Sequence, residues 1–293
     1  MLRYAAIDIG SNAVRLLIAD INHTEKGYEF KKNTLVRVPL RLGDDAFLSQ
    51  HISDKKIQDL IKTMIAFRNL MDVYQVSEYL ACATSAMRES DNGLEIVKIL
   101  KKKANIDLEI IEGQREANII YANHIEKSLD ANKGYLYIDV GGGSTELSVF
   151  LNKELTASKS FNIGTIRMLD NQDKQETWDE MKAWVKEQIQ GQKTLAAIGT
   201  GGNINKLFRM SDEKDGQPMS FLKLKTMYNE LNGHSLKERM IKFKLNPDRA
   251  DVIIPAAEIY LTLMKWTGIK QIYVPRVGMV DGIINLLMEE KLP

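Results

Sequence analysis

One phrase occurs twice in this chain. IDIGSNAVRL runs from Ile7 to Leu16, and IDVGGGSTEL runs from Ile138 to Leu147, 131 positions later. The offset sets Asp8 against Asp139, Gly10 against Gly141 and Leu16 against Leu147. Each copy has an apolar strand ending near an Asp, a short turn of Gly, Ser, Thr or Asn, and a second apolar strand. A β-hairpin with such a tip can aim several backbone N–H groups at an anion, because glycine permits unusual turns and its missing Cβ lets phosphate approach. Two tips in one chain of 293 residues predict two related domains, each with a phosphate-binding hairpin, facing each other across a cleft.

The rest of the composition narrows the class. The chain carries 40 basic and 39 acidic residues, a net charge of +1. That balance argues against a nucleic-acid partner and makes any polyanion site a local one. A single cysteine, Cys82 in the apolar run YLACAT, excludes an internal disulfide and fits a cytoplasmic protein; it reads as a core residue. His23, His51, His124 and His234 lack ligand spacing, which argues against zinc. No apolar run reaches the roughly 18 residues of a membrane span, and Met1-Leu2-Arg3 leads directly into a strand with no room for a signal peptide.

Along the chain, strands are expected over 4–21 and 28–38 with a turn near His23–Gly27. Helical spacing follows from Ser53 to Tyr74. EYLACATSAMRESDNG reads as a buried strand entering a polar loop, and Gly93–Ala104 as a helix. IDLEIIEG is a strand, and REANIIYANHIEKSL a helix from Arg115 to Leu129. The second half repeats the plan: strands in GYLYIDVGGGSTELSVFLN and ELTASKSFNIG, a helix from Glu176 to Gln190, a strand in LAAIGTGG, and a surface loop over Arg209–Phe221. A long helix in ADVIIPAAEIYLTLMKW, a strand in QIYVPRVG and a helix from Asp281 to Glu290 complete it. This alternation predicts a mixed α/β fold, with domains at 1–124 and 125–293 and the last helix packing back on the first.

Five constellations carry the chemistry. Gly10, Ser11 and Asn12 form the first tip; Gly141, Gly142, Gly143, Ser144 and Thr145 form the second. Three successive glycines weaken a strand unless close backbone access is needed, so both tips are read as phosphate-binding. Asp8, Asp139 and Glu146 stand beside them. A carboxylate repels phosphate unless a cation intervenes, so a hard divalent ion, Mg²⁺, is expected there; the alternative is that they cap turns. Glu116, in the first turn of its helix, serves the helix dipole or acts as a general base. The turn at Gly201 and Gly202, with Lys206 following, suits a phosphate or a nucleoside. Arg88, in the loop with Thr84, Ser85 and Asn92, suits a phosphate contact or a surface ion pair.

In this order the segments IDIGSNAVRLLI, ATSAMRESDN, EGQREANIIY, YIDVGGGSTELSVF, SFNIGTIRM, AIGTGGNI and NPDRADVIIPAAEIY resemble the exopolyphosphatase / guanosine pentaphosphate phosphohydrolase family. The likeness runs over essentially the whole chain. It implies two ribonuclease-H-like domains of the actin, acetate-sugar kinase and heat-shock ATPase type, with the active site in the cleft between them. It implies that Glu116 activates water, that Asp139 and Glu146 bind magnesium, and that Arg88 contacts phosphate. A homodimer is also implied, and a monovalent cation is left open.

The chain departs from the family pattern at Ala13, where many relatives carry a hydroxyl, at Val280, where relatives often carry arginine, and at Pro255-Ala256-Ala257, where P-G-A is common. Two lost anion contacts, and no helical domain after the second lobe, point to shorter chains or nucleotides as substrates. The expected activity is hydrolysis of a terminal phosphoanhydride, with inorganic polyphosphate the leading substrate and guanosine pentaphosphate the second. A small-molecule kinase of the same fold and a guanosine tetra- or pentaphosphate sensor with little turnover are the rivals.

Overall fold

A computed structural model describes residues 2–25, 27–125, 130–192 and 194–292. The chain divides into two compact units, Met1–Asn123 with Val277–Pro293, and His124–Arg276.

The first unit opens with β1 (Leu2–Ile9), β2 (Val14–Thr24) and β3 (Gly27–Val38), an antiparallel meander. Two helices follow, α1 (Leu42–Ser49) and α2 (Asp54–Val73), then β4 (Glu78–Ala83), α3 (Ser85–Arg88), α4 (Gly93–Ala104), β5 (Leu108–Ile110) and α5 (Gly113–Tyr121). The sheet order is β3-β2-β1-β4-β5, with β4 and β5 parallel to β1. β1 is buried from Tyr4 to Ile9, which is why it reads as an unbroken apolar run: helices cover a central strand on both faces. In α2 the buried Ile57, Leu60, Ile61, Met64, Phe67 and Met71 keep helical spacing.

The second unit repeats this layout with β6 (Gly134–Val140), β7 (Thr145–Leu151), β8 (Glu154–Phe161), α6 (Thr165–Leu169), α7 (Gln175–Gln188), β9 (Leu195–Thr200) and α8 (Gly202–Met210). It continues through β10 (Met219–Ser220), α9 (Phe221–Asn232), α10 (Leu236–Lys242), α11 (Pro247–Ala250), α12 (Ile253–Thr267) and β11 (Gln271–Tyr273). Its sheet runs β8-β7-β6-β9-β11, with β10 added antiparallel at the edge. The equivalent strands keep the directions of the first sheet. Both units are therefore mixed α/β domains of the ribonuclease-H-like type. The final helix, α13 (Met279–Lys291), belongs to the first unit and packs on α5 and β1. A Cβ on Gly282 would come within 2 Å of the Ile119 carbonyl oxygen, so α13 lies directly on the backbone of α5.

Several segments differ from the sequence expectation. The polar loop after β4 contains α3, because Ala86 and Met87 fold inward with at most 1% exposure. The helix expected to begin at Ala250 is broken at Asp251–Val252, where the Asp251 carboxylate accepts the Val252 N–H. That break leaves Pro255 in the first turn of α12, where its missing N–H costs nothing. α8 reaches Met210, and Met219 is buried in β10, so the expected surface loop is shorter than 209–221. The helix starting near Arg115 ends at Tyr121, and the part expected over 126–129 lies outside the described residues, as does position 26 in the first turn. Among the described residues, no helix is long and apolar enough to cross a membrane.

Candidate active site

The two hairpins close in the same way. Ile9 pairs with Val14 and Val140 with Thr145, leaving tips of four residues. Gly10 N–H donates to Ala13 O at 3.2 Å, and Gly141 N–H to Ser144 O at 2.9 Å. In each tip the carbonyls are tied to a following helix. Ser11 O accepts from Gly43 N–H and Asn12 O from Arg41 N–H, at the start of α1. In the second tip Gly141 O accepts from Thr165 N–H and Gly142 O from Ile166 N–H, while Arg167 Nε donates to Gly143 O at 2.6 Å. With the carbonyls held this way, the N–H groups of Gly142, Gly143 and Ser144, and those of Ser11 and Ala13, donate to no protein acceptor among the described residues. Buried backbone donors rarely stay unpaired, and a run of them is an anion-binding arrangement.

Gly164, at the start of α6, makes this packing possible. A Cβ on it would lie 2.4 Å from Gly142 O and 2.6 Å from the Gly143 carbonyl carbon. Its φ of −153° suits any residue; the requirement is space.

Below the second tip, Asp139 and Glu146 are direct cross-strand partners, a spacing that brings side chains into contact. Glu146 is 3% exposed. Its Oε1 accepts from Ser144 Oγ at 2.6 Å and from Ser160 Oγ, its partner on β8, at 2.8 Å. On the other side Asp139 pairs with Thr200 at the end of β9. The next residue, Gly201, has φ +100°, and a Cβ there would be 2.9 Å from Asp139 Oδ1. Gly201 is therefore required both for its backbone conformation and for room beside the carboxylate. This brings the sequence-predicted Gly201 and Gly202 turn against Asp139. Arg249 Nη1 donates to Gly202 O at 2.8 Å.

In the first unit, the position equivalent to Glu146 is Arg15, which pairs across the strands with Asp8. Arg15 Nη1 donates to Asp8 Oδ2 at 2.5 Å, with the Asp8 side chain 5% exposed. Ser11 Oγ lies 2.9 Å from Ser85 Oγ, joining the tip to α3. Arg88 turns toward the β5–α5 corner: its Nη1 donates to Ile111 O at 2.7 Å and its Nε is 3.8 Å from Glu112 Oε2. It thus anchors the start of the helix that carries Glu116, which lies in the first turn of α5 as the sequence implied. Cys82, the cross-strand neighbour of Asp8, is fully buried. Burial first, then the charges of Glu109 and Asp8, push its thiol up to about 12, which removes it as a nucleophile.

Among the described residues, no group of three or more His, Cys, Asp or Glu is placed to hold a metal ion. Two adjacent carboxylates beside a tip of backbone donors nonetheless fit Mg²⁺, which takes one or two protein carboxylates and completes its shell with phosphate oxygens and water.

The sequence reading overlooked four residues: Arg15, Ser160, Gly164 and Arg167. Arg15 was detectable, because the 131-residue offset places it against Glu146 with reversed charge. Gly164 and Arg167 give no such signal, since their partners lie some twenty residues away along the chain.

The model of the Ppx/GppA phosphatase family matches residues 33–291. The chain belongs to this family. It is 27% identical over 98% of its length to the bifunctional 3-dehydroquinate synthase/phosphatase of Fusobacterium nucleatum, of which the match covers 47%. It is 25% identical over 97% of its length to exopolyphosphatase 2 of Mycobacterium tuberculosis, with 98% of that protein covered. Other curated relatives, such as exopolyphosphatase 1 of Mycobacterium tuberculosis, are matched over 48%, so the chain spans about half the length of the first curated relatives. An exopolyphosphatase from Cytophaga hutchinsonii shares the fold, with a TM-score of 0.84, 23% identity and 98% of each chain covered. So does the Ppx/GppA family member of Aquifex aeolicus, with a TM-score of 0.77, 22% identity, and 100% of this chain and 99% of that one covered.

Proposed function

We propose that the protein is a Mg²⁺-dependent phosphoanhydride hydrolase that releases orthophosphate from the end of inorganic polyphosphate, with guanosine pentaphosphate as a second substrate. The observation that carries this reading is the second hairpin: backbone donors without a protein acceptor stand directly above a cross-strand carboxylate pair. A neutral ligand has no use for that pair, and an anion needs a cation beside it.

Asp139 and Glu146 would hold Mg²⁺, which supplies charge neutralisation on the transferring phosphoryl group. The N–H groups of Gly142, Gly143 and Ser144 bind its non-bridging oxygens. Gly10, Ser11 and Asn12, in the tip of the first unit, bind a further phosphate of the same substrate. Arg15 adds positive charge there, and Asp8 orients Arg15 instead of binding the ion directly. Glu116 accepts the proton of the attacking water, and Arg88 holds its helix in place. The Gly201 and Gly202 turn walls the site beside Asp139. Family membership and the likeness to exopolyphosphatases support the reaction class. We further propose a homodimer acting in the cytoplasm.

The test is phosphate release measured in parallel on short polyphosphate, long polyphosphate and guanosine pentaphosphate, with and without Mg²⁺. Release from polyphosphate without any acceptor is expected, and its absence on all three substrates would sink the proposal. Glu116→Gln is expected to lower turnover by about 10²–10⁴-fold with unchanged thermal stability, the usual share of a general base. Wild-type turnover in that variant would remove Glu116 from the mechanism.

A further inference from the structure

Tyr260, in the middle of α12, is fully buried against the second sheet. Its ring lies over Gly199, where a Cβ would stand only 3.2 Å from Tyr260 Cε1. Its hydroxyl donates to Thr200 O at 2.5 Å, with Ile138 O at 3.4 Å. These carbonyls belong to neighbouring parallel strands: Thr200 ends β9, and Ile138 lies in β6 immediately before Asp139. The pairing of Asp139 with Thr200 is the last in that ladder. Beyond it, one chain enters the glycine tip and the other turns at Gly201.

The geometry matters because Thr200 is followed at once by Gly201, against which the Asp139 carboxylate rests. A small displacement of Thr200 moves Gly201 toward or away from Asp139 Oδ1. The Tyr260 hydroxyl thus reaches the carbonyl just before Gly201 and the carbonyl just before Asp139.

We propose that Tyr260 is a positioning residue for the cation-binding carboxylates, its hydroxyl setting the spacing of the β6 and β9 ends and hence the place of Asp139. The inference rests on the reading of Asp139 and Glu146 as Mg²⁺ ligands. Burial, and after it the nearby Asp139 charge, holds the Tyr260 hydroxyl well above the ordinary tyrosine range. It stays protonated, and so remains a donor, at any pH the enzyme meets. A buried tyrosine that served packing alone would need one hydrogen-bond partner anywhere; this one spends its proton at the strand ends beside the proposed metal ligands.

The test compares Tyr260→Phe, Asp139→Asn and the unaltered protein by calorimetric titration with Mn²⁺ and by thermal unfolding with and without Mg²⁺, both without substrate. The Mg²⁺ concentration for half-maximal phosphate release is measured beside them. Tyr260→Phe is expected to weaken divalent binding and raise the Mg²⁺ requirement by about tenfold, the size of effect seen when a group supporting a metal ligand is removed. The loss should fall on the Mg²⁺ requirement more than on turnover at saturating Mg²⁺. A lowered melting temperature with unchanged metal affinity would overturn the proposal and leave Tyr260 a core residue. Unchanged metal binding in Asp139→Asn would instead overturn the underlying site. If Tyr260→Phe does not fold, Gly199→Ala, whose methyl group would crowd Ile272, Ile204 and the Tyr260 ring, is expected to shift metal affinity in the same direction, and its failure to do so overturns the proposal.

Discussion

The two hairpins share a backbone and differ in electrostatics. Both close with the same glycine-to-carbonyl hydrogen bond, and both have tip carbonyls tied to the start of a following helix. Across the first sheet, the row through Asp8 reads Arg37, Arg15, Asp8, Cys82 and Glu109. Across the second, the row through Asp139 reads Ser160, Glu146, Asp139 and Thr200. The first Asp has an internal guanidinium. The second has a neighbouring carboxylate, Glu146, which accepts from two serine hydroxyls. One scaffold thus yields a half whose aspartate has an internal counter-charge and a half with two adjacent carboxylates, and the difference rests largely on a single position, 15 or 146.

The largest effect is expected on breaking the second row. Glu146→Gln keeps the shape and the acceptor for both serines but removes the charge. Phosphate release should fall by about 10²–10³-fold, since a bound metal contributes several kcal/mol and each tenfold step is about 1.4 kcal/mol. Mg²⁺-dependent turnover at the wild-type level would leave the contrast between the hairpins without functional meaning.

Arg15→Met attacks the first row. It leaves the Asp8 carboxylate buried without its partner and should cost about 2–3 kcal/mol in urea unfolding, less than for a wholly buried pair because Arg15 is partly exposed to solvent. Adding Asp8→Asn to that variant should recover part of the loss, and strict additivity would mean that the pair carries no coupling.

A smaller loss, about 1–3 kcal/mol, is expected for Gly164→Ala, whose methyl group collides with the second tip. Thermal unfolding should show the drop, and the KM for polyphosphate should rise with it. An unshifted melting temperature would show that the tip does not depend on that close contact.

The smallest effect sharpens the comparison. Ser144 donates to Glu146 two residues on, whereas the equivalent Ala13 has no hydroxyl and the residue two on is Arg15, a side chain with donors only. Ala13 is buried, so Ala13→Ser should cost about 1 kcal/mol, the lower end for a buried hydroxyl, and leave phosphate release nearly unaltered. A clear gain in turnover would show that this hydroxyl acts on substrate and not on the hairpin.

Much of this fold was readable from residue order alone. The duplicated phrase predicts two hairpins at the observed offset, α4 spans Gly93–Ala104 as its periodicity suggests, and Glu116 falls in the first turn of its helix. Other features were not readable. Helix α3 forms because Ala86 and Met87 have a core to enter, and α12 starts late because Asp251 bonds to the next backbone N–H. The helices over 221–242 have too weak a pattern to stand out.

What the sequence determined by itself is therefore the repeat: local alternation, turn glycines and helix starts, whose causes lie within a few residues of one another. Tertiary structure decided which side chains meet. Arg15 finds Asp8, Ser160 finds Glu146, Gly164 admits the second tip, and Tyr260 joins Thr200 to Ile138. These partners lie from 7 residues apart, for Asp8 and Arg15, to 122 apart, for Tyr260 and Ile138. Strand register and helix packing bring them together, and no single stretch of sequence encodes either.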